Sequence, residues 1–122
     1  MAPLKTLIID DEEDICFLLK NMLKSLDLDA TSAGTLKGGF QSLKRVSFDI
    51  VFLDINLPDG SGLEAIEEIK TAFNHNIKII MISAFDSFSE RKIAAQKGAN
   101  YFIGKPLTKD KIIDALKAID LL

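Results

Sequence analysis

Short, unbroken apolar runs alternate along this chain with longer stretches whose apolar residues recur at helical spacing. The runs are Leu7-Ile8-Ile9, Asp49-Ile50-Val51-Phe52-Leu53, Ile77 to Ile82 and the shorter Tyr101-Phe102-Ile103. Continuous rather than alternating apolarity marks a strand covered on both faces, as in a parallel sheet sandwiched by helices. Asp29-Ala30-Thr31-Ser32 is assigned as a strand mainly because the alternation needs one there. Between the runs, Ile15, Leu18, Leu19, Met22, Leu23 and Leu26 follow the i, i+3, i+4, i+7 pattern of an amphipathic helix. Leu63, Ile66, Ile69, Lys70 and Phe73 form a second such set, with the lysine stem covering its position. Ile112, Ile113, Leu116 and Ile119 form a third, with Thr108 as its N-cap. Two further helices are expected over Leu36 to Arg45, weakened by Gly38-Gly39, and over Phe88 to Lys97, ended by Gly98. A strand-helix unit repeated five times predicts a single α/β domain over 1–122. It is a three-layer, doubly wound (βα)5 fold with a five-stranded parallel sheet and right-handed crossovers.

Composition narrows the function. At 122 residues and 48% hydrophobic, the chain is the size of one domain and has enough apolar side chain for a core. Its net charge of −3 shows no basic stripe, so direct nucleic-acid binding is not expected. No apolar run approaches the roughly 18–20 residues that span a membrane. The start, Met1-Ala2-Pro3-Leu4-Lys5, lacks a signal-peptide cleavage site, and the single Cys16 excludes an internal disulfide. A cytoplasmic protein is the expectation. Cys16 has no His or Cys nearby in sequence and reads as packing, and His75 reads as a solvated loop residue.

In sheets of this kind, ligands sit beyond the carboxyl ends of the strands. There the first strand ends in Asp10-Asp11, the third in Asp54 and the fourth in Ser83, while the fifth runs into Lys105-Pro106. Clustered carboxylates repel one another unless a cation sits among them. Oxygen ligands with open positions suit Mg²⁺, which keeps waters and takes a phosphate. Lysine and serine would meet phosphoryl oxygens, and a carboxylate can attack phosphorus to form an aspartyl phosphate. Each residue taken singly has a plainer role. Asp11 or Glu12 could cap the following helix, a lone lysine is commonly a surface group, and Ser83 alone says little. The inference comes from their arrival at one edge from separate strands.

On these residues the chain resembles the receiver domain of bacterial two-component response regulators. The stretch Asp49-Ile50-Val51-Phe52-Leu53-Asp54-Ile55-Asn56-Leu57-Pro58-Asp59-Gly60-Ser61-Gly62-Leu63-Glu64 is the most specific part of the resemblance, with Ile82-Ser83-Ala84, Gly98-Ala99 and Lys105-Pro106 following in order. The resemblance implies a flavodoxin-like, CheY-like fold and a signalling switch rather than an enzyme with a separate substrate. It makes Asp54 the phosphoacceptor. Asp10, Asp11, Asp54 and the backbone carbonyl of Asn56 become the ligands of Mg²⁺, with Mn²⁺ as a substitute. Ser83 and Lys105 become the groups that engage the phosphoryl oxygens, Ala84 the small residue beside them, and Phe102 the aromatic that rotates inward on phosphorylation. The bond between Lys105 and Pro106 is implied to be cis. A histidine kinase or histidine phosphotransfer protein is the implied partner, docking on Ile15, Leu18, Pro106 and Leu107, with an output domain or a downstream relay protein beyond it. Phe102 and Leu107 stand where tyrosine and phenylalanine are usual. Two other classes make different demands. A phosphatase with an aspartyl-phosphate intermediate, like the haloacid dehalogenases, carries an aspartate at the position of Asn56. A flavodoxin-like cofactor module needs a phosphate-cradling loop where this chain has Asp10-Asp11-Glu12-Glu13.

Overall fold

The structure, a computed structural model, describes residues 4–85 and 87–122. The start Met1-Ala2-Pro3, read above for targeting signals, lies outside them. Five strands, β1 (Lys5–Ile9), β2 (Asp29–Ala33), β3 (Ile50–Asp54), β4 (Lys78–Ser83) and β5 (Tyr101–Gly104), form one parallel sheet in the spatial order β2-β1-β3-β4-β5. Between and after them run α1 (Glu13–Lys24), α2 (Leu36–Arg45), α3 (Gly62–Ala72), α4 (Phe88–Lys97) and α5 (Lys109–Ala118). This is the doubly wound architecture expected from the alternation.

The unbroken apolar runs follow from burial on both faces. Leu7, Ile9, Val51 and Leu53 pack with Leu43 of α2, Ile66 and Ile69 of α3 and Ala94 of α4. The alternate residues Ile8, Ile50 and Phe52 pack with Leu19 and Leu23 of α1 and with Ile112 and Leu116 of α5. Successive strand side chains point to opposite faces, so one run feeds two core layers.

The glycine pair in α2 has a packing reason. A Cβ on Gly39 would come within 2.5 Å of Ile9 Cδ1, so the glycine lets the helix lie close on β1. Thr35 starts this helix, its hydroxyl accepting from Gly38 N at 2.9 Å. Gly98 ends α4 in the left-handed region, with φ 111°, as its position predicted.

One helix face differs from the expected stripe. The buried residues of α1 are Cys16, Leu19 and Leu23, whereas Leu18 is 40% exposed. At about 100° per residue, a stripe centred on Leu19 turns Leu18 toward water. After β3 the chain forms a small antiparallel ribbon, Asn56–Leu57 against Gly60–Ser61, which the apolar pattern did not signal.

Candidate functional site

The ends of four parallel strands assemble the site. Ladder pairing puts Asp54 opposite Ile82 and Ser83 opposite Gly104, which brings the carboxyl ends of β3, β4 and β5 into line. Asp10, just past β1, is tied to the sheet by its N–H donating to Ala33 O at 3.0 Å. Lys105, just past β5, is tied by its N–H donating to Ser83 O at 2.7 Å. Rigid strands thus aim the groups, and the loops beyond them need only be short.

At the centre lies the Lys105 ammonium. Its Nζ is 2.9 Å from Glu12 Oε1, 3.1 Å from Asp10 Oδ2 and 3.5 Å from Asp54 Oδ2. Burial by itself would lower the lysine pKa. Its hydrogen bond to Glu12, its close ion pair with Asp10 and the charge of Asp54 outweigh it and hold the ammonium well above its ordinary range. Asp54 behaves in the opposite sense. Burial and the neighbouring charge of Asp10 push its carboxyl up to about 6, against the pull of Lys105 and the Asn56 backbone amide.

Asp10, Glu12 and Asp54 each offer one oxygen, and these oxygens lie within 4.8 Å of one another. Asp10 Oδ1 accepts from Glu12 N at 2.8 Å. Its Oδ2 is buried and, although close to Lys105, has no aligned hydrogen bond among the described residues. That oxygen rests against one cation at 3.1 Å without an aligned donor, and a hard cation would share it. The donor set, oxygen only and acidic, fits a divalent metal ion.

The expected residues fall into three groups. Asp10, Asp54 and Lys105 meet. Asp11 is exposed and lies outside the three-carboxylate group, and Glu12, read from sequence only as a cap, stands in it. As a cap Glu12 supplies backbone alone, for its side chain makes no capping bond. Asn56 follows Asp54 directly, exposed, on the small ribbon.

Ser83 is fully buried at the edge of the site, but its hydroxyl is engaged with its own loop. It accepts from Phe85 N at 3.0 Å and donates to Phe85 O at 3.1 Å. Ala84, beside it, is exposed. Phe102 is only 7% exposed and packs in the core layer of α3 and α4. The Arg91 guanidinium lies 4.8 Å from its ring centroid. The inward rotation expected of Phe102 therefore has no outward starting position here. Tyr101 packs against the opposite layer, as strand alternation requires. The Lys105-Pro106 bond is cis.

Of the expected docking residues, Pro106 and Leu18 are exposed and Ile15 is half-buried. Leu107 is not a surface residue. It is 5% exposed, folded into the layer of α1 and α5, because the chain turns inward there before Thr108 caps α5. The large exposed apolar side chains near the strand ends are Phe17, Phe85 and Phe88. No apolar periodicity marks them, and only their lack of a core-spacing partner could have found them.

Two more residues hold the loop after Asp54. Gly62 N donates to Ile55 O at 2.7 Å, and a Cβ on Gly62 would meet Asp54 O at 2.0 Å. Asp59 reaches across to α2, accepting from Leu36 N at 2.9 Å and Lys37 N at 3.0 Å. These two backbone bonds to a helix N-terminus hold the Asp59 carboxyl below its ordinary value.

Comparison with known proteins gives this arrangement a lineage. The family model described as response regulator receiver domain matches residues 6–117. The chain belongs to that family. The chemotaxis protein CheY of Listeria monocytogenes is 36% identical over 117 residues, covering 93% of this receiver domain and 96% of that protein. The response regulator protein PilR of Pseudomonas aeruginosa is 37% identical over 107 residues, 88% of this chain but 24% of PilR. The receiver domain thus spans nearly the whole of one relative and about a quarter of the other. A CheY-like receiver domain from Methanospirillum hungatei superposes with a TM-score of 0.88 at 25% identity, over 97% of this chain and 94% of that one. Receiver domains are phosphoacceptor signalling modules of two-component systems. Among the described residues, no helix is long and apolar enough to cross a membrane.

Proposed function

We propose that Asp54 is the residue of this receiver domain that takes the phosphoryl group, with Lys105 as the cation that receives its charge. The carrying observation is the buried Lys105 ammonium, 3.5 Å from Asp54 and 3.1 Å from Asp10. An Asp54 oxygen attacks the phosphorus of a partner's phosphohistidine. The O–P bond forms as the P–N bond breaks, and the imidazole keeps the electron pair and takes up a proton. Lys105 then faces a phosphoryl oxygen, a charge-assisted contact that gains strength in this dry setting. Ser83 reaches a second oxygen by giving up its bonds to Phe85. Loss of those bonds frees the loop before α4, and Phe102 with Arg91 above it carries the change to that helix. This is a local charge event biasing a packed element.

Asp10, Asp11, Asp54 and the Asn56 carbonyl would hold Mg²⁺, with Mn²⁺ as a substitute. When bound, that cation neutralises charge on the transferring phosphoryl group. Asp11 reaches the site by a rotamer change, which its exposure allows. The donor is a histidine kinase or a histidine phosphotransfer protein in the cytoplasm, and it docks on the rim that carries Leu18, Ile15 and Pro106. The signal passes to an output domain or a relay protein.

Incubation with acetyl phosphate and Mg²⁺ tests the assignment. Intact mass should gain one phosphoryl group in the natural protein and none in Asp54→Ala. Equal labelling of both would sink it.

A further inference from the structure

Lys105 has three ammonium protons to give, and three carboxylates already face it. The aligned hydrogen bond is the one to Glu12, so a phosphoryl oxygen seeking a short contact with Lys105 competes first with the carboxylate that holds it closest. Asp54 is the most distant of the three at 3.5 Å, and once it carries the phosphoryl group it no longer presents a carboxylate to compete. Asp10 cannot leave. Its side chain is buried to 0% exposure and anchored through Oδ1 to the Glu12 amide at 2.8 Å. Glu12 differs from both. Its side chain is 57% exposed, it forgoes the capping bond open to it at the start of α1, and it makes the shortest of the three contacts, 2.9 Å.

We propose that Glu12 is a tethered stand-in for the phosphoryl group, occupying Lys105 until the phosphodonor displaces it and thereby setting how readily Asp54 is phosphorylated. The inference rests on Asp54 being the phosphoacceptor. The exchange is anion for anion on one cation. The Glu12 side chain swings into water with no bond made or broken covalently, and a phosphoryl oxygen takes its seat. Before the exchange, Glu12 also opposes the approach of a doubly negative phosphodonor. Glu13 is an internal control. It is an exposed acid of the same charge one residue on, in the first turn of α1, and it lies outside the carboxylate group.

The test compares the natural protein with Glu12→Gln, Glu13→Gln and Asp54→Ala, using acetyl phosphate at saturating Mg²⁺. Initial rates are read from intact mass against acetyl phosphate concentration. Glu12→Gln should label faster at low donor, by on the order of threefold to tenfold for one removed charge at close range. The gain should lie in KM rather than kcat. Glu13→Gln should stay within about twofold, since solvent screens it. A second reading needs neither metal nor phosphate. The Lys105 ¹⁵Nζ resonance of the metal-free protein should shift in Glu12→Gln and stay in place in Glu13→Gln. An unchanged or slower rate in a Glu12→Gln protein with a normal melting curve overturns the proposal. So does an equal gain in Glu13→Gln, which would reduce the effect to overall charge. Labelling of Asp54→Ala at the natural rate overturns the parent assignment instead, and this proposal with it.

Discussion

Asp54 concentrates the conflict between burial and charge in this molecule. Folding raises its pKa from an ordinary 3.8 to about 6, through burial first and the charge of Asp10 second. As pH rises, the unfolded chain therefore releases this proton before the folded one does. Metal-free stability should fall on this account between about pH 4 and pH 6 and stay lowered above that, by on the order of 2–3 kcal/mol. Asp54→Asn removes the titration. It should be more stable than the natural protein at pH 7.5 without metal, and the difference should shrink toward pH 4. Urea titrations at the two pH values read this directly, and equal stability of the two proteins at pH 7.5 would contradict it. The same side chain shows what sequence could and could not tell. Its place at the end of an apolar run made it legible as a buried carboxylate needing partners. The identity of those partners was half legible. Lys105 was found through its strand, but Glu12 was read as a cap, because a loop side chain's direction leaves no periodic trace.

Secondary structure was largely legible because most helices and strands satisfy their own pattern. The bounds expected for α2 and α4 match those observed, Leu36–Arg45 and Phe88–Lys97, the second closed by Gly98. Strand β2 carries no apolar run. It is the edge of the sheet and largely exposed, so only the fold's alternation announced it. The ribbon after β3 was illegible because backbone bonds and the Asp59 tether to α2 hold it, with Leu57 alone packed on the core and no apolar period to announce it. Gly62 is the tightest point of this region. Its Cβ would lie 2.0 Å from Asp54 O and 3.0 Å from Asp54 C, atoms of a buried strand that cannot yield. Gly62→Ala should therefore destabilise by about 3 kcal/mol or more, the upper range for overpacking. It should also slow labelling of whatever protein remains folded, because the atom it strikes belongs to Asp54. A melting temperature within a degree of the natural one would refute this packing argument.

The whole molecule is a rigid sheet whose cost is gathered at one end. Three strand ends deliver acids and one lysine to a single edge, a fourth adds Ser83, and among the described residues a buried oxygen of Asp10 is left without an aligned donor. A ligand that binds only the folded chain stabilises it by mass action. At pH 7.5, millimolar Mg²⁺ should raise the melting temperature, a chelator should reverse the rise, and Asp54→Asn should blunt it. A melt indifferent to Mg²⁺ would remove the metal from this account. Leu107 and Leu18 mark the limit of sequence at this level. Both are apolar, and only the assembled packing decides that one joins the core while the other faces water. The ion pair between Glu12 and Lys105 spans 93 residues of chain. During synthesis, then, the acidic residues emerge long before the lysine that reconciles them. A nascent chain carries Asp54 and its acidic neighbours, but the site lacks its ammonium until β5 and Lys105 have left the ribosome.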